Sequence, residues 1–525
     1  MRSGGASARM GQYAGVACFA AIWLLLAVFL FAPSLDRPID LIDFHDITPL
    51  IRASDSAWDA LVSVSALYQR HGRLSVVSYA YFVAKWYAFG DWGLGWQIVR
   101  LVEVAVTAAL FYLLLRRLGA GRTGAALAQF LLLATPSSAK IWEWLNVAEA
   151  AGTLLVVVVA HLVLNGHANS RERLRMAAIF CSVLVLAFLK EMLLTALVLP
   201  VWWLGTLQHR NGSITARPHQ RMPREFLVVI AAAATASIPI LYVAFTSPEG
   251  SYARHYLGGS MNAGSVLLSG VALLIPFQPP TSPHSILELG ALIAYSSILL
   301  LGWRVLLVTR RGDMAVQRIL LLAVTFVVSG VAAYAPWHDY RLMYAYPFQL
   351  GTGLLIAFAV TGLQSARILW RSLVSLAWLA ILIVMISQAY GDARFYHASL
   401  KSVRDVAVVA STLPRDADVY VRSCGVPGGD WANFGDLAGR FARTIDLPAP
   451  SLLRDTSCAS TPHRLPGRSG DVHVVTLRVA PLFYLESIPD RDRVSTVVDL
   501  SRVRLERYRW SVNTWRPTDD EYDVE

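Results

Sequence analysis

The sequence predicts an all-α polytopic membrane protein of about eleven transmembrane helices, with a small α/β domain at its C-terminal end on the outer side. Three observations predict it. Apolar runs of about twenty residues recur along most of the chain. Only 16% of the 525 residues are charged against 55% hydrophobic, and mean hydropathy is +0.48, whereas soluble domains carry roughly 25% charged residues. Such a chain cannot cover itself with polar surface. Lipid is then its main solvent, and backbone groups in hydrocarbon are satisfied only in helices or a closed barrel; the run length selects helices. Third, arginines fall in short clusters between the runs: Arg116, Arg117 and Arg122; Arg171, Arg173 and Arg175; Arg210, Arg217, Arg221 and Arg224; Arg310, Arg311 and Arg318; Arg367 and Arg371. The net charge of +10 is therefore a topology signal, and no nucleic-acid partner is implied.

Placing every cluster on the cytoplasmic side puts helices near 13–32, 94–115, 123–136, 148–165, 175–190, 192–207, 225–246, 285–308, 319–336, 343–363 and 369–390. The first run, Tyr13 to Ala32, follows a short tail with Arg2 and Arg9. It lacks a small-x-small cleavage site before Asp36, which reads as a retained anchor with a cytoplasmic N-terminus. Val266 to Phe277 is too short to span, and counting it would move Arg310 and Arg311 outside, so it reads as an interfacial or re-entrant helix.

Residues 1–390 then form a transmembrane domain whose first outer loop is 33–93, and residues 391–525 an extracytoplasmic C-terminal domain. The loop is long for a plain connector. Trp58 to Tyr68 and Val76 to Phe89 within it are apolar at helical spacing and rich in Tyr and Trp, as interfacial helices are. In the tail, Asp418 to Arg422 and Asp471 to Val479 alternate as strands do, after a helix predicted over Arg394 to Leu413. Cys18 and Cys181 lie in apolar helices. Cys424 and Cys458 lie in the tail, where an oxidising compartment permits a disulfide that no spacing signature requires. No zinc spacing, P-loop or GxGxxG after a strand occurs, so soluble nucleotide chemistry is unsupported.

Candidate chemistry gathers at the outer face. Ile39 to Asp46 places Asp43, His45 and Asp46 just after the first helix; a carboxylate at the bilayer surface can act as general base on a hydroxyl, or simply be part of a solvated loop. Lys190 and Glu191 interrupt an apolar stretch and mark either a site or a hairpin turn whose charges snorkel to water. Pro336 to Pro347 is a polar knot leading into the tenth helix. Within it His338 and Arg341 stand where a guanidinium can hold a phosphate at headgroup depth, or where an aromatic belt anchors the chain. Lys140, Trp142, Glu143, Trp144 and Glu149, and also Arg73, Arg100 and Glu103, share this side. An acidic loop and several cations thus meet where a lipid phosphate would lie.

The order of these landmarks, over roughly residues 13–390, resembles the GT-C superfamily of polyprenyl-phosphate-sugar glycosyltransferases, especially bacterial members akin to the TMTC-type and protein O-mannosyltransferase branch. Asp43-Phe44 stands where members carry an acidic pair and an aromatic, with Ile42 in place of the other acid. Arg73-Leu74-Ser75-Val76-Val77-Ser78-Tyr79, running on to Trp86 and Gly90, is similar to an R-P-L-T-x-x-S segment without its proline. Leu189-Lys190-Glu191 matches a Ser-Lys-Glu landmark, and Arg341 to Pro347 an Arg-x-x-Tyr-x-Tyr-Pro lead-in.

The resemblance implies transfer of a sugar from a polyprenyl phosphate, such as an undecaprenyl-phosphate monosaccharide, to a hydroxyl on a glycan, lipid or protein acceptor, with inversion, at a bacterial cytoplasmic membrane. Asp43 or Asp46 would be the base, with His45 assisting. Arg341 and Lys190, joined by Arg73 or His338, would stabilise the departing lipid phosphate, and Glu143 and Glu191 are accessory candidates. Use of a divalent metal, Mg or Mn, differs among branches. Three other classes compete. A transporter or flippase for lipid-linked saccharides predicts related halves and mid-membrane charges; an O-antigen polymerase or ligase predicts its largest outer loop late in the chain; a plain anchor for the tail gives no reason for Asp43, Lys190 and Arg341 to share a face.

Overall fold

The computed structural model describes residues 23–30, 44–90, 92–143, 148–165, 172–210, 213–216, 222–247, 273–275, 286–334, 342–364, 372, 374–390 and, in the tail, 406–408, 410, 418–422, 438–439, 452–455, 472–476, 503–511 and 514–524. Within them the chain is a multi-pass helical membrane protein. Five helices are long and apolar enough to cross a bilayer: α5 (Gly93–Arg117), α12 (Arg224–Thr246), α13 (Ile286–Thr309), α14 (Met314–Tyr334) and the segment Ala345–Gln364, which contains α15 (Gln349–Gln364). The shorter apolar helices α9 (Glu149–Leu164), α11 (Thr195–Gly205) and α16 (Val374–Tyr390) stand among them, and residues 23–30 form α1.

Most expected helices appear near their expected bounds, and the departures have local causes. The stretch expected as one helix over 123–136 is three pieces: α6 (Arg122–Gln129), α7 (Leu131–Ala134) and α8 (Pro136–Glu143). Thr135 is extended, and its hydroxyl accepts from the Ser138 amide at 3.1 Å, so Thr135-Pro136 caps and starts a new helix. Glu172–Leu189, α10, stops at Lys190, whose backbone is extended; a 3-10 turn, Glu191–Leu194, then leads into α11. The tenth expected helix also opens as a 3-10 segment, Leu342–Phe348, ahead of α15. α14 begins earlier than expected because Asp313 Oδ1 accepts from the Ala315 amide at 2.9 Å. Arg210 lies in a hairpin that the sequence reading passed over as a basic connection: β1 (Leu207–Arg210) pairs antiparallel with β2 (Ser213–Ala216).

The first loop is a folded unit. Its two expected helices are α3 (Ala57–Arg70) and α4 (Val76–Phe89). The reading of Ile39 to Asp46 as loop needs correction at its end, because Phe44–Arg52 is a helix, α2. Ile47, Leu50 and Ile51 follow helical spacing there, a pattern too short to stand out beside Pro49. Ile47 and Ile51 join Ala60, Val64, Tyr68, Tyr79, Phe82, Val83 and Trp96 of α5 in a separate small core. Ser56 caps α3, accepting from the Asp59 amide at 3.1 Å, and Tyr68 stacks on Tyr79 with centroids 4.8 Å apart.

In the tail, five strands form one mixed sheet among the described residues. Its order is β4 (Leu452–Asp455), β3 (Asp418–Arg422), β5 (Val472–Thr476), β6 (Val503–Ser511), β7 (Thr514–Val524). β3 runs parallel to both its neighbours, and β6 runs antiparallel to β5 and β7. Both strands expected from alternation are present, at Asp418–Arg422 and Val472–Thr476.

Candidate functional site

Helix polarity sorts the charged residues by end. At one end, Arg117 donates to Asn165 Oδ1 at 2.9 Å, Arg175 pairs with Glu225 at 3.1 Å, Arg224 with Glu172 at 3.2 Å, and Arg318 donates to the Thr206 carbonyl at 2.6 Å. This arginine collar belongs to the C-terminal ends of α5 and α9 and the N-terminal ends of α10, α12 and α14. The opposite end holds the start of α5 and of α9, the end of α10, and the α2–α4 unit.

Two charge clusters form at that second end. In the first, the Lys190 ammonium donates to Glu149 Oε1, and Glu149 is fully buried at the start of α9. A buried carboxylate needs such a partner, since an uncompensated charge there costs several kcal/mol. Next to it, Ser75 at the N-cap of α4 donates to Glu191 Oε2 at 3.4 Å. Arg73 and Glu191 both act electrostatically on the Tyr79 hydroxyl, and burial, the larger cause, pushes the pKa of that phenol up. The structure thus brings Arg73, Lys190 and Glu191 together, with the Lys190 charge matched by Glu149.

The second cluster lies where α4 crosses α5. Tyr81 donates to Glu103 Oε1, and Arg100 approaches Glu103 Oε2 at 3.2 Å. Lys85 sits over the rings of Tyr81 and Trp96, at 4.2 and 4.6 Å from their centroids. Lys85, Arg100 and Glu103 are 5%, 1% and 8% exposed, so the three side chains lie together in a nearly dry seam. Burial holds the Lys85 ammonium well below its ordinary pKa; the Arg100 charge lowers it further and Glu103 opposes. Gln97 is buried in the same stretch, and its amide has no hydrogen-bond partner among the described residues. Tyr346, ahead of α15, lies within electrostatic reach of Arg100 and Glu103 and donates to the Leu132 carbonyl at 3.3 Å. Arg100 and Glu103 offset each other, and Lys85, Tyr81 and the Gln97 amide add hydrogen-bonding groups around the pair, a set able to hold an anion.

His45 and Asp46 are in the first turn of α2, and Glu143 ends α8. Asp43, His338, Arg341, Cys424 and Cys458 lie outside the described residues. Sequence reasoning missed Lys85. The signal was present: a lone lysine in an apolar aromatic helix, with no acid within four residues to pair with it. Among the described residues no three His, Cys, Asp or Glu side chains are grouped to hold a metal.

The fold and these ends define a polytopic helical membrane protein with an ion-paired, cation-rich cluster at the end away from its arginine collar. No family model matches the chain, and no curated protein does. Among solved structures it is similar to ArnT from Cupriavidus metallidurans in the apo state, at 13% identity and TM-score 0.49 over 89% of this chain and 94% of that one. ArnT bound to undecaprenyl phosphate gives 13% and 0.48 over 89% and 93%. The Archaeoglobus fulgidus oligosaccharyltransferase complex with Zn and sulfate gives 12% and 0.40 over 87% and 67%.

Proposed function

We propose that this chain is a GT-C-type membrane glycosyltransferase that moves a sugar from a polyprenyl-phosphate donor to an acceptor hydroxyl on the extracytoplasmic side. The observation that carries the reading is the separation of charge: the arginine collar is at one end, and Lys85, Arg100, Glu103, Arg73, Lys190 and Glu191 gather at the other beside α2, whose first turn holds His45 and Asp46. By the positive-inside rule the collar faces the cytoplasm of a bacterial cell, which puts the second cluster, the N-terminal loop unit and a C-terminal domain over 391–525 outside.

In the proposed reaction Asp43 or Asp46 accepts the acceptor's hydroxyl proton, with His45 in support. The freed oxygen bonds to the anomeric carbon, the bond from that carbon to the phosphate oxygen breaks, and configuration inverts. The lipid phosphate leaves with the electron pair. Growing charge on it is met by Arg341 and His338 from the polar knot, with Arg100 and Lys85 as hydrogen-bond donors behind them, which act most strongly where water is excluded. Lys190, matched by Glu149, serves this site by fixing the α10–α11 break that carries Glu191, and Arg73 orders Tyr79. Whether the reaction uses a divalent Mg or Mn ion is read by chelation and re-addition.

The test is transfer from labelled undecaprenyl-phosphate sugars by purified protein. Asp43→Asn or Asp46→Asn, whichever removes the base, should lower the rate by about 10²–10⁴-fold, and Arg341→Ala should lower it as well. If both Asn variants retain wild-type rates at normal expression, the carboxylate mechanism is wrong.

A further inference from the structure

The outer surface of α13 carries a groove that sugar transfer does not use. It has a volume of about 510 Å³ and is lined by Leu300, Trp303, Leu307, Val308 and Leu355, with Arg304 at its wall. The residues around it face lipid: Leu300 and Val308 are 73% and 67% exposed. The groove floor is rigid, because Trp303 Nε1 donates to the Leu355 carbonyl at 3.0 Å and its ring stacks near Phe358.

Arg304 is the anomaly. It is exposed on this apolar face, and among the described residues it has no ion pair or hydrogen bond. It lies five residues before Thr309, the end of α13, which at 1.5 Å per residue is about 7.5 Å inside the helix terminus. A guanidinium at that depth is costly in hydrocarbon unless it meets an anion or reaches the interface. Arg310, paired with Asp313 at 3.6 Å, and Arg311 follow just past the helix end, leaving the nearby rim with one surplus positive charge.

We propose that this groove is a binding site for an anionic phospholipid, with one acyl chain along Leu300, Trp303 and Leu307 and the phosphate held by Arg304. Charge complementarity selects this occupant. A second copy docking by the same face would set Arg304 against Arg304 in an isologous contact, and a neutral lipid leaves the guanidinium without an anion. The site is at the arginine-collar end, away from the Lys85 and Lys190 clusters, so it is separate from the proposed donor site and stands independently of the sugar-transfer reading.

The experiment uses the full chain purified in a neutral detergent, titrated with phosphatidylglycerol or phosphatidylcholine, and read by native mass spectrometry and by the thermal unfolding midpoint. Phosphatidylglycerol should bind and raise the midpoint of the wild type, and phosphatidylcholine should do neither to the same degree. Arg304→Gln should weaken phosphatidylglycerol by about ten-fold, the size of a charge-assisted hydrogen bond, while Arg304→Lys keeps the preference and Leu307→Trp, which fills the groove, removes it. Equal responses to the two lipids, an unchanged preference in Arg304→Gln, or a wild-type dimer that Leu307→Trp dissolves would each overturn the proposal.

Discussion

The main bundle and the first-loop unit solve the same packing problem by different means. In the bundle, helices meet through small residues: Gly302 of α13 lies against the Ala359 carbonyl of α15, and Gly362 lies against the Gly302 carbonyl. Backbones approach closely, and the mainly apolar contact is joined by hydrogen bonds such as that from Trp303 to the Leu355 carbonyl, as expected where lipid supplies no hydrophobic drive between helices. The loop unit packs large aromatic side chains, Tyr68 on Tyr79 and Phe82 near Trp96, and it places Lys85, Arg100 and Glu103 at its seam with α5. The bundle is built for close contact, and its buried charges, Glu149 at the start of α9 and Glu225 and Arg318 at the arginine-collar end, lie near helix ends with partners. The seam accepts the cost of buried charge, and buried charge retained in a protein is where function is first sought.

The sharpest way to break the seam is to remove its one acid. Glu103→Ala leaves Arg100 and Lys85 buried without a carboxylate, and breaking a buried pair in this way costs about 3–5 kcal/mol. The thermal midpoint in detergent should fall by many degrees, whereas Glu103→Gln, which still accepts from Tyr81, should lose less. Similar midpoints for Ala and Gln would mean that the charge does not hold the seam. The bundle should break differently. A methyl group at Gly302 overlaps the Ala359 carbonyl, while at Gly290 on the same helix it meets nothing within 4 Å. Gly302→Ala should therefore destabilise by about 1–3 kcal/mol through overpacking, and Gly290→Ala should be neutral or slightly stabilising. If both behave alike in the same unfolding assay, the α13–α15 contact is looser than described.

The two regions also differ in how much of them could be read from letters. Apolar run length placed α5, α12, α13 and α14 to within a few residues, because a spanning helix must be long and apolar regardless of what it touches. Breaks were less legible: Thr135-Pro136 was available as a start signal, but apolar content on both sides concealed it. Among the candidate residues, Lys190, Glu191 and Arg73 stood out because charge is conspicuous in apolar sequence. That Lys190 is matched by Glu149, 41 positions away, was not legible, since a partner across the fold leaves no local spacing. Lys85 was visible as a lone lysine among aromatics, but its burial and partners were not. Its surroundings, Trp96 and Arg100, come from the next helix, and only the crossing of α4 and α5 makes it a buried cation.

The smallest effect is the most specific to the seam. Burial holds the folded-state pKa of Lys85 below the 10.5 of a free lysine. Between that lowered value and 10.5 the unfolded chain binds one more proton than the folded chain, so this group makes stability rise with pH through the window and level off above it. Below the lowered value both states carry the proton and the slope vanishes, with the desolvation penalty fully present. Lys85→Met keeps the length and removes the ammonium. The variant should be more stable than the wild type near pH 7, and the gap should narrow as pH approaches 10. Each unit of pKa depression that lies inside the measured range contributes about 1.4 kcal/mol to that narrowing. Taking the difference between the two profiles cancels the tyrosines and other groups that titrate in both proteins. Parallel profiles from pH 7 to 10 would show that Lys85 keeps its proton throughout, and the seam would then hold two full positive charges against one negative.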